Sequence, residues 1–508
     1  MSDDAASHIG QLSPDRRWRW DGKAWTPTHL RLPAWARLQL RARPTFIALC
    51  SALFVGLFAD QAIRVGAFGL GTSVAVASAT LVLVFVGGLR RVESWLLAAV
   101  AAAFGACLTV RASPWLLWPD VVATFALLGL AASIAVRGSL LNIGVAEVLA
   151  RGVAAALHAS AGGAFIGRPI TGTRSRLTAL APIARGLLIS IPIAAVLAAL
   201  LASADPIFAS FLRINLDVSQ VTLDTVYVVG GSLVMAGLLR LAAAEPIGRV
   251  DGPVWRLGAT ESIVVLAVLD TIFGTFAIAQ AIAASGTGAD ALQAAGVTYA
   301  DYARSGFFQL LWVAGITLVV LVLFSRITGF ANQRGRAAFV VLAESAIGLT
   351  LLIVAVASTR LSLYESAYGF TMLRLYSHIF AGWIALVFLL LAADLAGLWP
   401  RRRWFVGATA ITALSLLMAL NVANPEAVVV GLNINRAIAT HKIDAQYLGG
   451  LSSDAAPALL TARSQVDASV RQDITTAACV GPRSYAPSPA AFNWSDAKAA
   501  HARRQACG

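Results

Sequence analysis

The sequence predicts an all-α protein: a polytopic transmembrane helix bundle of about eleven helices with a small helical extracytoplasmic C-terminal tail. Three observations predict it. The 508 residues are 58% hydrophobic and only 13% charged, with a mean hydropathy of +0.75, which is membrane rather than soluble composition. Mostly apolar runs, each about 20 residues long, recur from Phe46 to Val422, and a helix of that length crosses a hydrocarbon core of about 30 Å. The Lys and Arg residues collect in alternate gaps between those runs, as retention of cations on the cytoplasmic side requires. A membrane barrel would show weak alternating strands instead, and lipid cannot satisfy the edges of an open sheet.

The first 44 residues form a cytoplasmic segment. Met1 to Gly10 has neither a basic start nor an apolar stretch, so no cleavable signal peptide is expected and the first helix serves as signal anchor. The segment contains Trp18-Arg19-Trp20-Asp21-Gly22-Lys23-Ala24-Trp25-Thr26-Pro27, and an Asp-Gly pair between aromatic residues predicts a tight hairpin. A two-residue turn at Asp21-Gly22 would set Trp18 opposite Trp25. This stretch resembles a short Trp-x-Trp-Asp-Gly-x-x-Trp-x-Pro motif found near the N-termini of many bacterial membrane proteins, to which no chemistry is attached. Trp and Arg here read as anchors at the membrane interface, or as an aromatic module facing a peptide or lipid.

Residues 45–422 make the membrane domain. The expected crossings are 45–63, 66–89, 92–112, 115–136, 184–203, 219–240, 258–283, 305–325, 337–358, 377–398 and 404–422. With the N-terminus inside, the inward segments hold 25 Lys and Arg, the outward loops six and the tail eight. The orientation rests on 25 against six, since a long translocated segment counts weakly. The same topology accounts for a pI near 10.3 without a nucleic-acid partner, because the cations flank apolar helices rather than sharing one soluble face.

Between the fourth and fifth crossings, Leu140, Leu141, Ile143, Val145, Val148, Leu149 and Val153 alternate with Asn142, Glu147 and Arg151. That pattern suits an amphipathic helix along the bilayer or against the bundle, broken by Gly162-Gly163 and Gly167-Arg168-Pro169. After the fifth crossing, Ala204 to Leu212 fits a segment dipping back into the interface. No repeat of fixed period is visible.

From Ala423 the composition turns polar, giving an extracytoplasmic tail over 423–508 with three or four short helices. Ser453-Asp454, with Pro457 in the first turn, reads as one helix start and Ser495-Asp496 as another. Cys479 and Cys507 fall together on the oxidising side and are candidates for a disulfide. Cys50 and Cys107 lie in spans and read as small core residues.

Signatures of phosphate-loop, zinc-protease, Cys-x-x-Cys and nucleophile-elbow chemistry are all missing from the sequence, which weakens an enzymatic reading. No catalytic residue, metal or cofactor is assigned. Ionisable groups inside spans are costly and are therefore candidate functional sites. Asp270 lies about 18 Å into its helix, near the midplane, with Thr271 and Thr275 close in sequence as possible hydroxyl partners; Glu344 lies about a third of the way in. Each reads either as part of an ion or proton path or as a neutral carboxyl hydrogen-bonded inside the bundle. Glu261, Asp120, Asp224 and Asp394 are near span ends, within reach of water or headgroups, and read as structural.

The densest polar stretch is an expected outward loop from Arg360 to His378, with Tyr364, Glu365, Tyr368, Arg374 and Tyr376 between them. It suits binding of a headgroup, glycan or peptide, or equally an interfacial belt with an internal ion pair. The run Tyr364-x-x-x-Tyr368-Gly369-Phe370-Thr371-x-x-Arg374-Leu375-Tyr376 resembles the hallmark of a family of bacterial multi-pass membrane proteins catalogued only as a domain of unknown function, of the 4153/4173 type. Two further stretches are similar to the same family. One is Tyr299-Ala300-x-Tyr302-Ala303-Arg304-x-Gly306-Phe307-Phe308-Gln309-Leu310; the other is Asn435-Arg436 followed by Asp444-x-x-Tyr447-Leu448-x-x-Leu451-Ser452-x-Asp454-Ala455-x-Pro457. The resemblance extends over most of the chain from about residue 45 and implies topology, not activity.

Three functions follow as expectations. The first is a non-enzymatic envelope scaffold or sensor of the bacterial inner membrane, embedded in the lipid bilayer, whose tail and Tyr/Arg stretch meet an envelope protein or lipid partner. The second is an ion- or proton-coupled transporter or channel using Asp270. The third is an enzyme acting on lipid or glycan through Glu365, Arg374 and His378.

Overall fold

A computed structural model describes residues 11, 13–14, 18–20, 24–27, 39–66, 68–166, 197, 218–248, 250, 256–284, 306–399 and 403–507. The expected crossing at 184–203 apart from residue 197, the dipping segment at 204–212, the break at 167–169 and the stretch 299–304 lie outside the described residues.

The described residues are helical almost throughout. Helices α1 (Phe46–Arg64), α2 (Leu70–Phe85), α3 (Val92–Val110) and α4 (Pro114–Ser133) are followed by α5 (Val145–Ser160), α6 (Val218–Ala242), α7 (Ala259–Ala284), α8 (Phe307–Ile327), α9 (Gln333–Tyr368), α10 (Met372–Leu395) and α11 (Trp404–Ala423). Nine of these are, among the described residues, long and apolar enough to cross a membrane, and α2 is a shorter apolar helix. Its 16 residues span about 24 Å.

The helices pack side by side around two buried cores, α1 antiparallel to α6 and α7 parallel to α9. The first joins α1 to α4 with α6, from Ala52 and Phe104 to Met235. The second joins α7 to α10, from Leu266 and Phe339 to Phe388. Helix α11 touches both, through Leu414 and Met418 on one and Phe405 on the other. Small residues let α1 and α6 approach closely: a Cβ on Gly231 would stand 2.5 Å from the Ala59 Cβ, the mode of packing that replaces hydrophobic driving force inside lipid.

The bundle therefore has two ends. At one, Arg41 donates to the Ala243 carbonyl (2.8 Å), and two short strands, β3 (Leu257–Gly258) and β4 (Thr328–Gly329), pair in parallel and join the start of α7 to the end of α8. At the other, Arg64 pairs with Asp224 (2.5 Å) and the C-terminal helices dock. We call these the loop end and the tail end. The tail contains α12 (Pro425–Thr440), α13 (Ala445–Gly449), α14 (Ala456–Ala462), α15 (Ala468–Ala478) and α16 (Trp494–Cys507) around its own core of Val429, Ile434, Leu459 and Ile474.

Several expectations change. Arg360 to His378 is not a loop: α9 continues to Tyr368 and α10 begins at Met372. No Gly or Pro interrupts Arg360 to Tyr368, so their polarity does not stop the helix. Gly369, at φ +84°, does, in a conformation that glycine adopts without strain. Thr371 then caps α10 with its hydroxyl on the Arg374 amide (3.4 Å). At 36 residues, α9 is about 54 Å long.

The hairpin register also differs. Strand β1 (Trp18–Trp20) pairs with β2 (Trp25–Pro27) so that Trp20, not Trp18, faces Trp25, with ring centroids 5.5 Å apart. The paired strands are joined by a longer connection than a two-residue turn. In the tail, α16 is capped by Asn493, whose side-chain oxygen accepts from the Ser495 amide (2.9 Å), and α14 lacks a side-chain cap. Cys50 faces outward rather than into the core.

Helix α5 packs with its polar side inward. Glu147, Arg151 and His158 are buried while Leu149 and Val153 are exposed. Arg151 donates to Glu147 (2.8 Å) and to the carbonyls of Ser133 (2.9 Å) and Ile247 (3.4 Å). A cation thus satisfies acceptors that the end of α4 cannot bond within its own helix.

Candidate functional site

Two groups of residues at the tail end, and one inside the bundle, carry polar chemistry. The first lies where α9 gives way to α10. Tyr364 and Tyr368 stack on adjacent turns of α9 (centroids 4.8 Å apart). Glu365 points to the opposite helix, where its buried Oε2 meets His378 Nε2 at 2.9 Å. Its Oε1 is buried with no hydrogen-bond partner. The Arg374 guanidinium lies 4.2 Å above the Tyr364 ring and donates to the Gly369 carbonyl, so it is engaged in closing the helix break.

The fold thus brings Tyr364, Glu365, Tyr368, Arg374 and His378 together and separates the other two expected members. Arg360 reaches Gln280 of α7 (3.3 Å). Tyr376 turns to α4, donating to the Trp115 carbonyl (3.2 Å) with its ring 5.2 Å from that indole.

The same break is held by the tail. Asn433 of α12 accepts from the Phe370 amide (3.0 Å) and donates to the Phe370 carbonyl (2.8 Å). The Tyr447 hydroxyl accepts from the Met372 amide (2.7 Å). Arg436 donates to the carbonyls of Ser366 (3.2 Å) and Ala367 (2.7 Å), the last turn of α9. Side chains of the tail therefore satisfy the backbone groups that a helix end leaves open.

The second group seals the tail to the α3–α4 corner. Asp454 is 3% exposed; its carboxylate accepts from the Ala112 and Ser113 amides (2.9 and 2.8 Å) and from the Ser495 hydroxyl. Arg111 stands 3.7 Å from the same carboxylate and donates to the Asn421 carbonyl (2.7 Å). The Asn421 amide in turn donates to Asp120 (2.8 Å). Glu426, 1% exposed, accepts from the Ser452 amide and hydroxyl (2.9 and 2.7 Å). Burial pushes the Glu426 carboxyl above its usual range, although the Ser452 bonds pull the other way.

Sequence reasoning placed Asp120 within reach of water; it is fully buried. Its neighbours near span ends do have structural partners: Asp394 pairs with Arg326 (2.9 Å) and Glu261 caps the Gly258 amide (2.8 Å). Asp454, expected to start a helix, serves the junction instead. Its partners lie more than 300 positions away in sequence for Ala112 and Ser113, so no local pattern pointed to them.

Inside the bundle, both carboxylate oxygens of Asp270 and Oε1 of Glu344 are buried, and the Ser345 hydroxyl of α9 stands beside Asp270 as its nearest hydrogen-bonding group. Thr271 and Thr275 do not supply the expected hydroxyls, because each donates to the carbonyl four residues before it in α7 (2.8 Å).

A disulfide joins Cys479 to Cys507, tying the end of α15 to the end of α16. Arg463 donates to the Ala506 carbonyl (2.7 Å) and Arg503 to the Ala478 carbonyl (3.1 Å), bracing the same corner. Among the described residues, no three His, Cys, Asp or Glu side chains gather where they would hold a metal ion.

Apolar helices of spanning length around two buried cores define a multi-pass, all-α membrane protein. The chain belongs to the family described as Domain of unknown function (DUF4153), which matches residues 98–462. No curated protein and no solved structure matches it. The matched span contains both the α9–α10 break and most of the tail that holds it.

Proposed function

We propose that the protein is a non-enzymatic scaffold or sensor of the bacterial cytoplasmic membrane, with residues 1–44 inside, 45–422 in the bilayer and the tail 423–508 outside. The surface around Tyr368 and the tail meets an envelope protein or lipid. The grip of Asn433, Arg436 and Tyr447 on the α9–α10 break carries this reading: contact with the tail is contact with the ends of two membrane helices. The excess of inward Lys and Arg and the Cys479–Cys507 disulfide support the orientation.

Photo-crosslinking residues placed at exposed Tyr368 and Asn435 test the partner in living cells. Discrete adducts are expected at both, reduced in Asn433→Ala; absence of any adduct at either position counts against it. Single cysteines at Gln465 and Gln333 test the orientation, with labelling by an impermeant thiol reagent expected only at Gln465.

A second reading, an ion or proton path, is favoured by the buried carboxylate of Asp270 in the middle of α7. Proteoliposome flux with Asp270→Asn separates the two. Flux that is present and lost in this variant overturns the pure scaffold; flux indistinguishable between the two proteins removes the carboxylate path.

A further inference from the structure

A groove of about 580 Å³ opens between α3 and α11. Its bottom is Phe104 and Leu127, both buried, and its lips are Leu96, Val100 and Ile411, all exposed. On α3 the lining residues recur at i, i+3, i+4 and i+7, so one helix face forms a whole wall. From Glu93 at its mouth to Phe104 at its depth, the groove extends about 16 Å, close to one leaflet of a hydrocarbon core of about 30 Å. Trp95 marks the interfacial level at the mouth, where its indole donates to the Leu89 carbonyl (3.1 Å).

The chemistry of the mouth differs from that of the wall. Glu93 is the carboxylate there, and its charge is already met: Ser139 and the Leu140 amide donate to it at 3.1 Å each, and Arg91 at 3.5 Å. The Arg91 side chain is 40% exposed, with its Nε buried beneath the guanidinium surface. Arg90 and Arg137 are exposed at the same end. An apolar slot of leaflet depth thus opens beneath a cationic rim.

We propose that this groove is a binding site for an anionic glycerophospholipid of the loop-end leaflet, with one acyl chain along Val100 and Phe104 and the phosphate against Arg91. Position selects the occupant, because the slot lies along the apolar helices α3 and α11 and its lips, Leu96, Val100 and Ile411, are exposed. Charge selects the headgroup, since a phosphate gains a guanidinium partner there and a zwitterion brings its own cation to a cationic rim. The site does not depend on which end faces the cytoplasm.

Native mass spectrometry of the full-length protein, delipidated and titrated with dioleoyl phosphatidylglycerol or dioleoyl phosphatidylcholine, tests this. One tightly retained phosphatidylglycerol is expected, preferred about tenfold, equivalent to about 1.4 kcal/mol. Val100→Trp and Leu414→Trp, which fill the slot from opposite walls, are expected to abolish retention of either lipid. Arg91→Gln is expected to abolish only the preference. Equal retention of the two lipids by the unaltered protein overturns the headgroup assignment. Retention unchanged in both Trp variants overturns the site. Disulfide trapping between a cysteine at Leu414 and one within residues 184–203 overturns the occupant by showing that the chain itself covers the groove.

Discussion

Asn433 holds Phe370 by both of its backbone groups, accepting from its amide at 3.0 Å and donating to its carbonyl at 2.8 Å. Phe370 is the middle residue of the three that separate α9 from α10. Asn433 is itself 8% exposed, so water does not readily replace it. Asn433→Ala leaves two backbone groups without partners, each costing about 1–3 kcal/mol. We expect a lower unfolding temperature and new protease cleavage at residues 368–372 in the purified protein. Asn433→Asp, which still accepts from the amide, should fall between the two.

Glu426 predicts how the docking of the tail responds to pH. Burial raises its folded pKa above the unfolded value of about 4.3. A raised folded pKa contributes stability that is complete below the unfolded value and is lost as pH rises through the folded one. Hydrogen exchange over 445–478 should therefore be slowest in acid and accelerate as pH climbs from about 4.3. Asp454, Asp120 and Arg111 adjoin the same junction, so Glu426→Gln is the control: it should flatten this part of the profile while the tail remains docked.

The loop end should respond with the opposite sign. His158 is buried on α5 and its pKa is pushed down from 6.5 to about 4, by burial first and by Arg240 second. Its contribution is complete above 6.5 and lost as pH falls toward 4, on the order of 3 kcal/mol across that window. Local opening in α5, read as hydrogen exchange corrected for its intrinsic pH dependence, should rise on acidification. The variant His158→Gln should not show the rise.

The disulfide closes a loop of 28 residues. Removing it should cost the tail about 3.5 kcal/mol in chain-entropy terms. In Cys507→Ser, α16 should exchange and be proteolysed ahead of α12, with the bundle unaffected. Cells whose periplasmic thiol-oxidation system is disabled should accumulate the reduced form; unchanged oxidation there would argue against a tail on the far side.

The spans were legible because lipid imposes one strong rule: apolar residues for about 20 positions. Helix α8, α7 and α11 begin and end within two residues of the apolar runs. Helix α9 was not, since Arg360, Ser362, Glu365 and Ser366 end its apolar run without ending its backbone hydrogen bonding. Polarity marks where lipid stops, and Gly369 marks where the helix stops. The candidate site divides along the same line. Tyr364 with Tyr368 is readable as a pair four residues apart, and their rings do meet, whereas Arg374 and His378, equally spaced, bond Gly369 and Glu365 instead. The contact of Glu365 with His378 depends on the turn between the helices. Asp120, Asn421 and Asp454 depend on segments brought together only by folding, and Asp120 looked like a solvated helix end.

Helix α9 is about 54 Å long where a core of about 30 Å would suffice. Its backbone ladder runs from Gln333 to Tyr368 with no proline. The excess emerges at the tail end, where the last turn is held from the side by Arg436. If the tail senses a partner, an uninterrupted helix of this length is the element expected to carry a push or torque from it to Arg334 and Arg336 at the other end.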